Sequence, residues 1–223
     1  MRNKIRSFLQ NRISPGDRLI AAVSGGMDSM AMLYTLHDLA PEFPFSLSVA
    51  HFNHQLRGME SDRDAAFVQD CCSRLKIPFS MGQGDVAGYA KAHFLGLEEA
   101  ARILRYDFLQ SLDPDAWILT AHTAEDNLET VLMHLIRGSG LQGLGGIAPV
   151  RGRLIRPLLD VSREDIEAYC RDNRIRYFSP ADYSEGTELD RLVKAIIDRT
   201  VANEKLESVY YQNLKESRGD GLL

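Results

Sequence analysis

The hexapeptide Ser24-Gly25-Gly26-Met27-Asp28-Ser29 stands directly behind the apolar run Leu19-Ile20-Ala21-Ala22-Val23, and residues 30–39 read as a helix. Strand, glycine turn and helix in that order aim several backbone N–H groups and the positive end of a helix at one anion. The two glycines let the backbone approach that anion closely, and Ser24 and Ser29 add hydroxyl donors. Asp28 is out of character, because a carboxylate beside a phosphate is repelled unless a divalent cation lies between them. The combination points to a nucleotide polyphosphate carrying Mg²⁺. A Walker loop has a longer glycine turn and a lysine before the hydroxyl residue. Neither is present.

Downstream, strand-like and helix-like stretches alternate. Strands are expected at 18–23, 45–52, from 78, at 117–120 and at 154–159; helices are expected at 2–11, 60–76, 97–112, 125–137 and 162–173. This order predicts an α/β fold with a mostly parallel five-stranded sheet and helices on both faces. A catalytic domain is expected over 1–180 and a helical C-terminal appendage over 181–223, its helix at 188–214. In such sheets ligands bind at the carboxyl ends of the strands. Three polar clusters fall at those ends: Ser24 to Ser29, His51 to Arg57, and Ala121 to Asp126.

Bulk properties narrow the class. A chain of 223 residues with 44% hydrophobic content can bury one α/β core. Its net charge of −5 does not advertise a nucleic-acid binder, although eight arginines stand against five acidic residues between Arg137 and Arg176. That local excess suits an RNA-phosphate footprint as well as a solvated helix surface. Cys71, Cys72 and Cys170 fit no metal spacing and read as buried, reduced thiols. No secretory leader and no membrane span is expected, which points to the cytoplasm.

Each cluster also has an ordinary explanation. His51 to Arg57 reads as a polar loop whose histidines cap strand ends, or as a set able to meet a base edge and a phosphate. Glu98 and Arg102 are i,i+4 partners on a solvated helical face, and Arg102 and Arg105 share a face. Asp126 and Glu129, one turn apart, suit a helix N-terminus. Opposite Asp28, however, Asp126 would supply a second carboxylate for Mg²⁺.

The hexapeptide resembles the pyrophosphate loop of the N-type ATP pyrophosphatases, which split ATP between the α and β phosphates, adenylate an acceptor oxygen and release pyrophosphate. Four further stretches, 51–57, 98–106, 120–130 and 137–147, are together similar to the tRNA(Ile)-lysidine synthetase family, over about residues 15–170. The resemblance implies an adenine nucleotide alpha hydrolase-like fold, ATP as substrate, Mg²⁺, free L-lysine, and tRNA(Ile) with a CAU anticodon. Carried onto this chain, it implies Asp28, Asp126, His122 and Arg105 as catalytic residues. Ser24, Gly25, Gly26, Asp28, Ser29, His51 and Asn53 would bind the nucleotide, and Asp28 and Asp126 the metal.

Some positions depart from the family pattern. Glu125 and Asn127 stand where it has Asp and Gln, and Glu185 where Asp-x-Ser-Asn has Asn. Arg191-Leu192-Val193-Lys194 lacks the Asn that follows Arg. Without the family's further tRNA-gripping domains after Leu223, RNA would be held by this compact form, by a partner or in a homodimer, unless the tRNA role is lost. A PP-loop tRNA thiolase and a non-catalytic ATP-binding regulatory module stay as alternatives.

Overall fold

The computed structural model describes residues 1–56, 59–136 and 145–178, all within one compact unit, Met1–Ser179. The elements run α1 (Arg2–Gln10), β1 (Arg18–Ala22), α2 (Met27–Leu39), β2 (Ser46–Asn53), α3 (Met59–Leu75), β3 (Phe79–Gln83), α4 (Val86–His93), α5 (Leu97–Leu112), β4 (Trp117–Leu119), α6 (Ala124–Ile136), β5 (Val150–Arg151), β6 (Leu154–Ile155) and α7 (Arg163–Asp172). The sheet has the order β3-β2-β1-β4-β6-β5.

Alternation along the strands sends side chains to two different cores. Leu19, Ala21, Val49 and Leu119 join Met30, Leu33, Val68, Cys72, Ile166 and Cys170 on the face covered by α1, α2, α3 and α7. Ile20, Ala50 and Ile118 meet Leu109 of α5 on the other. Helix α2 is buried on most sides, because it lies between the sheet and α7. At about 25 cal/mol per Å² of apolar surface, burying each large side chain contributes roughly 1.5–3 kcal/mol.

Among the described residues the sheet has six strands rather than the expected five. Five are parallel to their neighbours; the sixth, β5, pairs antiparallel with β6 in the register Val150↔Ile155 and Arg151↔Leu154. Its hairpin turns at Gly152, with φ +59, a conformation suited to two-residue hairpin loops. Strand β6 ends at Ile155 instead of reaching residue 159, since the chain turns from Pro157 onward, with the Leu159 N–H bonded back to the Arg156 carbonyl at 3.3 Å. Helix α4 was also not expected. Asp85 caps it through the Gly88 N–H at 2.8 Å, and Phe94, at φ 57, closes it without the glycine that usually marks such an end. The domain boundary near 180, the 188–214 helix, Arg57 and residues 137–144 lie outside the described residues. Among the described helices none is long and apolar enough to cross a membrane.

Candidate active site at the carboxyl ends of the strands

Chain reversal after β1 depends on Gly25, whose φ of +96 an L side chain rarely adopts. The turn is tied by its own hydroxyls. Ser29 Oγ donates to the Gly26 carbonyl at 2.9 Å, accepts from the Ser24 N–H at 3.2 Å and lies 3.2 Å from Ser24 Oγ. Gly26 caps α2, so the first N–H groups of the helix, from Met27 onward, have no intrahelical partner. Such free N–H groups at a helix start suit an anion.

Asp28 sits in that first turn, half-buried, and its Oδ1 is buried with no hydrogen-bond partner. Burial pushes its pKa up to about 6, with Asp126 and Glu125 adding to the rise and Arg163 opposing it. Asp126 has a structural duty as well. Its Oδ2 accepts from the Thr123 N–H at 2.7 Å and from Thr123 Oγ1 at 3.1 Å, while Thr123 Oγ1 faces the Asp126 N–H at 3.4 Å. This is a capping box at the start of α6. Among the described residues no group of three or more His, Cys, Asp or Glu is arranged to hold a metal ion. Mg²⁺ bound with nucleotide phosphates takes only one or two carboxylates, and the unpartnered Asp28 Oδ1 fits that use.

His51, His54 and His122 are all shifted towards the neutral form. His51 is 4% exposed and its Nδ1 lies 2.8 Å from the carbonyl oxygen of Val23. A carbonyl only accepts, so the ring donates from Nδ1. Burial lowers its pKa. His54 falls further, to about 4, through burial, Arg105 and His51. His122, paired with Thr120 Oγ1 at 2.9 Å, is lowered by burial and by Arg156, Arg105 and Arg102, against the pull of Asp126. Two of those arginines flank the Tyr106 ring of α5, with guanidinium carbons 5.7 Å (Arg102) and 5.4 Å (Arg105) from its centre. Asn53 points elsewhere: its amide donates to Asp62 Oδ1 at 2.9 Å and its oxygen accepts from the Gln55 N–H at 2.8 Å. It fastens the loop after β2 to α3.

The candidate residues thus fall into two groups. Asp28, Asp126 and Glu125 gather by the glycine turn; His54, His122, Arg102 and Arg105 gather across α5 and the end of β4. A groove lined by Arg18, Ser46, Ser48, Ser80 and Asp113 lies at the opposite ends of the strands, away from the chemistry of parallel sheets.

Residues 1–203 match the PP-loop domain family. A tRNA(Ile)-lysidine synthase of Chlorobaculum tepidum is 39% identical over 228 aligned positions, covering 96% of this chain and 68% of that protein. The chain belongs to the tRNA(Ile)-lysidine synthase family. Another member, from Dehalococcoides mccartyi, is 46% identical over 175 residues, covering 73% of this chain and 37% of its own length; the chain spans little more than a third of that relative. The solved structure of the U34-tRNA thiolase NcsA from Methanococcus maripaludis with its 4Fe-4S cluster aligns with a TM-score of 0.72 at 18% identity, covering 92% of this chain and 72% of that one. At that identity the likeness is one of fold.

Two departures from the lysidine synthase family pattern acquire a local account. Glu125 Oε1 accepts from the Arg163 N–H at 2.9 Å, so the longer side chain reaches across to cap α7, while Oε2 is buried without a partner. Asn127 Oδ1 accepts from the Ile147 N–H at 2.7 Å and anchors the exit of the glycine-rich stretch. Gly146 there has φ +61, and a Cβ on it would stand 2.2 Å from Asn127 Oδ1. His54, which the sequence reading included only as part of the 51–57 stretch, and Arg156, which it did not name, lie among the candidate residues. The His-x-x-His spacing 51–54 could have flagged the former; nothing local marks the latter.

Proposed function

We propose that this chain is an ATP-dependent RNA-base ligase that joins L-lysine to C2 of the wobble cytidine of tRNA(Ile) with a CAU anticodon, releasing pyrophosphate and AMP. The observation that carries the reading is the buried, unpartnered Asp28 carboxylate in the first turn of α2, beside a serine-tied anion turn. Ser24, Gly25, Gly26 and Ser29 bind the β and γ phosphates through backbone N–H groups and hydroxyls. Asp28 and the oxygen of Asp126 that the capping box leaves free would hold Mg²⁺, which would supply charge neutralisation at the transferring nucleotide.

The cytidine C2 carbonyl oxygen attacks the α-phosphorus and pyrophosphate leaves. The lysine ε-amine then adds to C2, AMP departs with the former carbonyl oxygen, and the amine loses a proton. Adenylation is needed because a carbonyl oxygen alone is a poor leaving group. Neutral His122 is the group suited to take that proton, since burial and three arginines keep it unprotonated. Arg105 counters charge developing on the nucleotide. His51 holds the turn by the Val23 carbonyl and keeps its other nitrogen for the adenosine. Glu129, raised by burial, Asp126 and Glu98, marks the side where a substrate ammonium is attracted. A cytoplasmic location follows from a tRNA substrate.

Sulfur transfer is disfavoured by the thiols themselves. All three are buried, and burial pushes Cys72 up to about 12 and Cys170 up to about 11, opposite to the depressed values that reactive thiolates require. The deciding experiment is mass analysis of a tRNA(Ile) transcript incubated with the chain, Mg²⁺, ATP and each amino acid. A lysine adduct on the wobble cytidine, formed only with lysine, is the expected result. Unmodified tRNA from folded, ATP-binding protein would support the regulatory-module reading instead.

A further inference from the structure

Arg156 follows β6 directly, and β6 pairs with β4 in the register Ile118↔Leu154 and Leu119↔Ile155. The Thr120 N–H bonds to the Ile155 carbonyl at 3.1 Å, so Arg156 starts beside the strand end that carries Thr120 and His122. It is 5% exposed. One guanidinium nitrogen, Nη1, donates to the Ala148 carbonyl, while Nε is buried with no partner. Tyr106, whose ring already lies against Arg102 and Arg105, also hydrogen-bonds the Arg156 guanidinium, which leaves Nε as its unpartnered atom. Arg105 repeats the anomaly: its Nε too is buried and unpartnered.

Among the described residues, none of these three arginines makes an ion pair. Arginine stays charged when buried, and an uncompensated buried charge is costly unless something pairs with it. Half-buried Arg105 and exposed Arg102, converging on the same tyrosine and histidine, raise the cost of the buried Arg156 charge further. Buried polar atoms in native proteins nearly always find a partner, and exceptions mark an absent water or ion. A planar fork with spare N–H groups matches an oxyanion.

We propose that Arg156 joins Arg102 and Arg105 in a cradle that binds one substrate oxyanion, a phosphate of the nucleotide or the carboxylate of the amino acid. Arg156 is the fixed member, locked by Ala148 and by burial; the α5 arginines complete the fork from the solvent side. Only the choice of these two sources rests on the ligase reading.

The test uses the full chain with ¹⁵N-labelled arginine. Its Arg156 Nε–H resonance is identified by its loss in R156K, or by elimination with R102K and R105K if R156K does not fold. The probes are inorganic phosphate, AMP, L-lysine and cadaverine, which is lysine without its carboxylate. Movement with phosphate and AMP assigns the cradle to the nucleotide. Movement with lysine but not cadaverine assigns it to the amino acid. In steady state R156Q should raise the KM of the matching substrate about ten- to a hundredfold, with a smaller change in kcat and partial recovery in R156K. A purely structural role would lower the melting temperature and leave both KM values in place. No movement of the resonance with phosphate, AMP or lysine overturns the cradle. If it does not move while pyrophosphate is still released, the cradle falls and the ligase reading stands. If it moves with phosphate while no pyrophosphate is ever released, the ligase reading falls and the cradle stands.

Discussion

The two halves of the site carry opposite kinds of unfinished business. By the glycine turn, Asp28 and Glu125 each keep a buried oxygen without a partner; across β4, Arg105 and Arg156 each keep a buried N–H in the same condition. The acids do not pair with these arginines, although doing so would satisfy both. Charges held apart at a cost in stability suit a ligand bearing both signs, such as a polyphosphate with its cation on one side and an anion on the other. A site evolved only for folding would have neutralised itself.

The largest expected effect breaks the acidic half. Asp28→Ala should lower pyrophosphate release by about 10²–10³-fold, the loss typical of a group that stabilises developing charge, measured at saturating ATP with tRNA and lysine. Near-normal turnover would remove Asp28 from the chemistry. On the basic half, Arg105→Gln should cost about 10²-fold in the same assay, without weakening Mg²⁺ dependence; a change confined to Mg²⁺ affinity would merge the halves into one.

Stability separates them further. Asp126→Ala should cost about 1 kcal/mol in urea unfolding, because it removes the capping box of α6. Asp126→Asn, which keeps the acceptor, should retain most of that stability and still lose activity. Asp28→Asn should do the reverse and stabilise the ligand-free protein. Above about pH 6 the wild type carries a desolvated carboxylate there, so the variant gains about 1 kcal/mol after allowance for partial exposure. As pH falls from about 6 towards the unfolded value of 3.8, the native wild type takes up the proton and the gain disappears. An Asp28→Asn protein no more stable than wild type at pH 8 would mean the carboxylate is not strained. The smallest effect is on His122, whose NMR-titrated pKa should rise in R156Q, since a positive neighbour that lowers it is removed.

Much of the fold was legible because it rests on local patterns. The Leu97–Leu112 helix follows from apolar spacing alone, and the turn at Ser24–Ser29 from the strand before it. Helix α4 escaped because its C-cap is Phe94 rather than glycine, and β5 because a two-residue strand is too short to show alternation. Among the candidate site residues, Asp28 and Arg105 stand in motifs that the sequence alone displays. Asn53 reads as a base-edge contact in the sequence, yet both ends of its amide are occupied within the loop and by α3. Glu125 matters through the N-terminus of α7, and Arg156 through strand pairing with β4. Neither is a property of neighbouring residues, so neither could be read from spacing.

If the two halves act on one ATP by adenylation, pyrophosphate and AMP leave in separate steps. Pyrophosphate and AMP should therefore be followed separately after mixing the chain with ATP, Mg²⁺ and tRNA(Ile), first without lysine. The expected result is a burst of pyrophosphate without lysine, and AMP release only once lysine is added. Absence of pyrophosphate under both conditions, from protein that binds ATP, would contradict it.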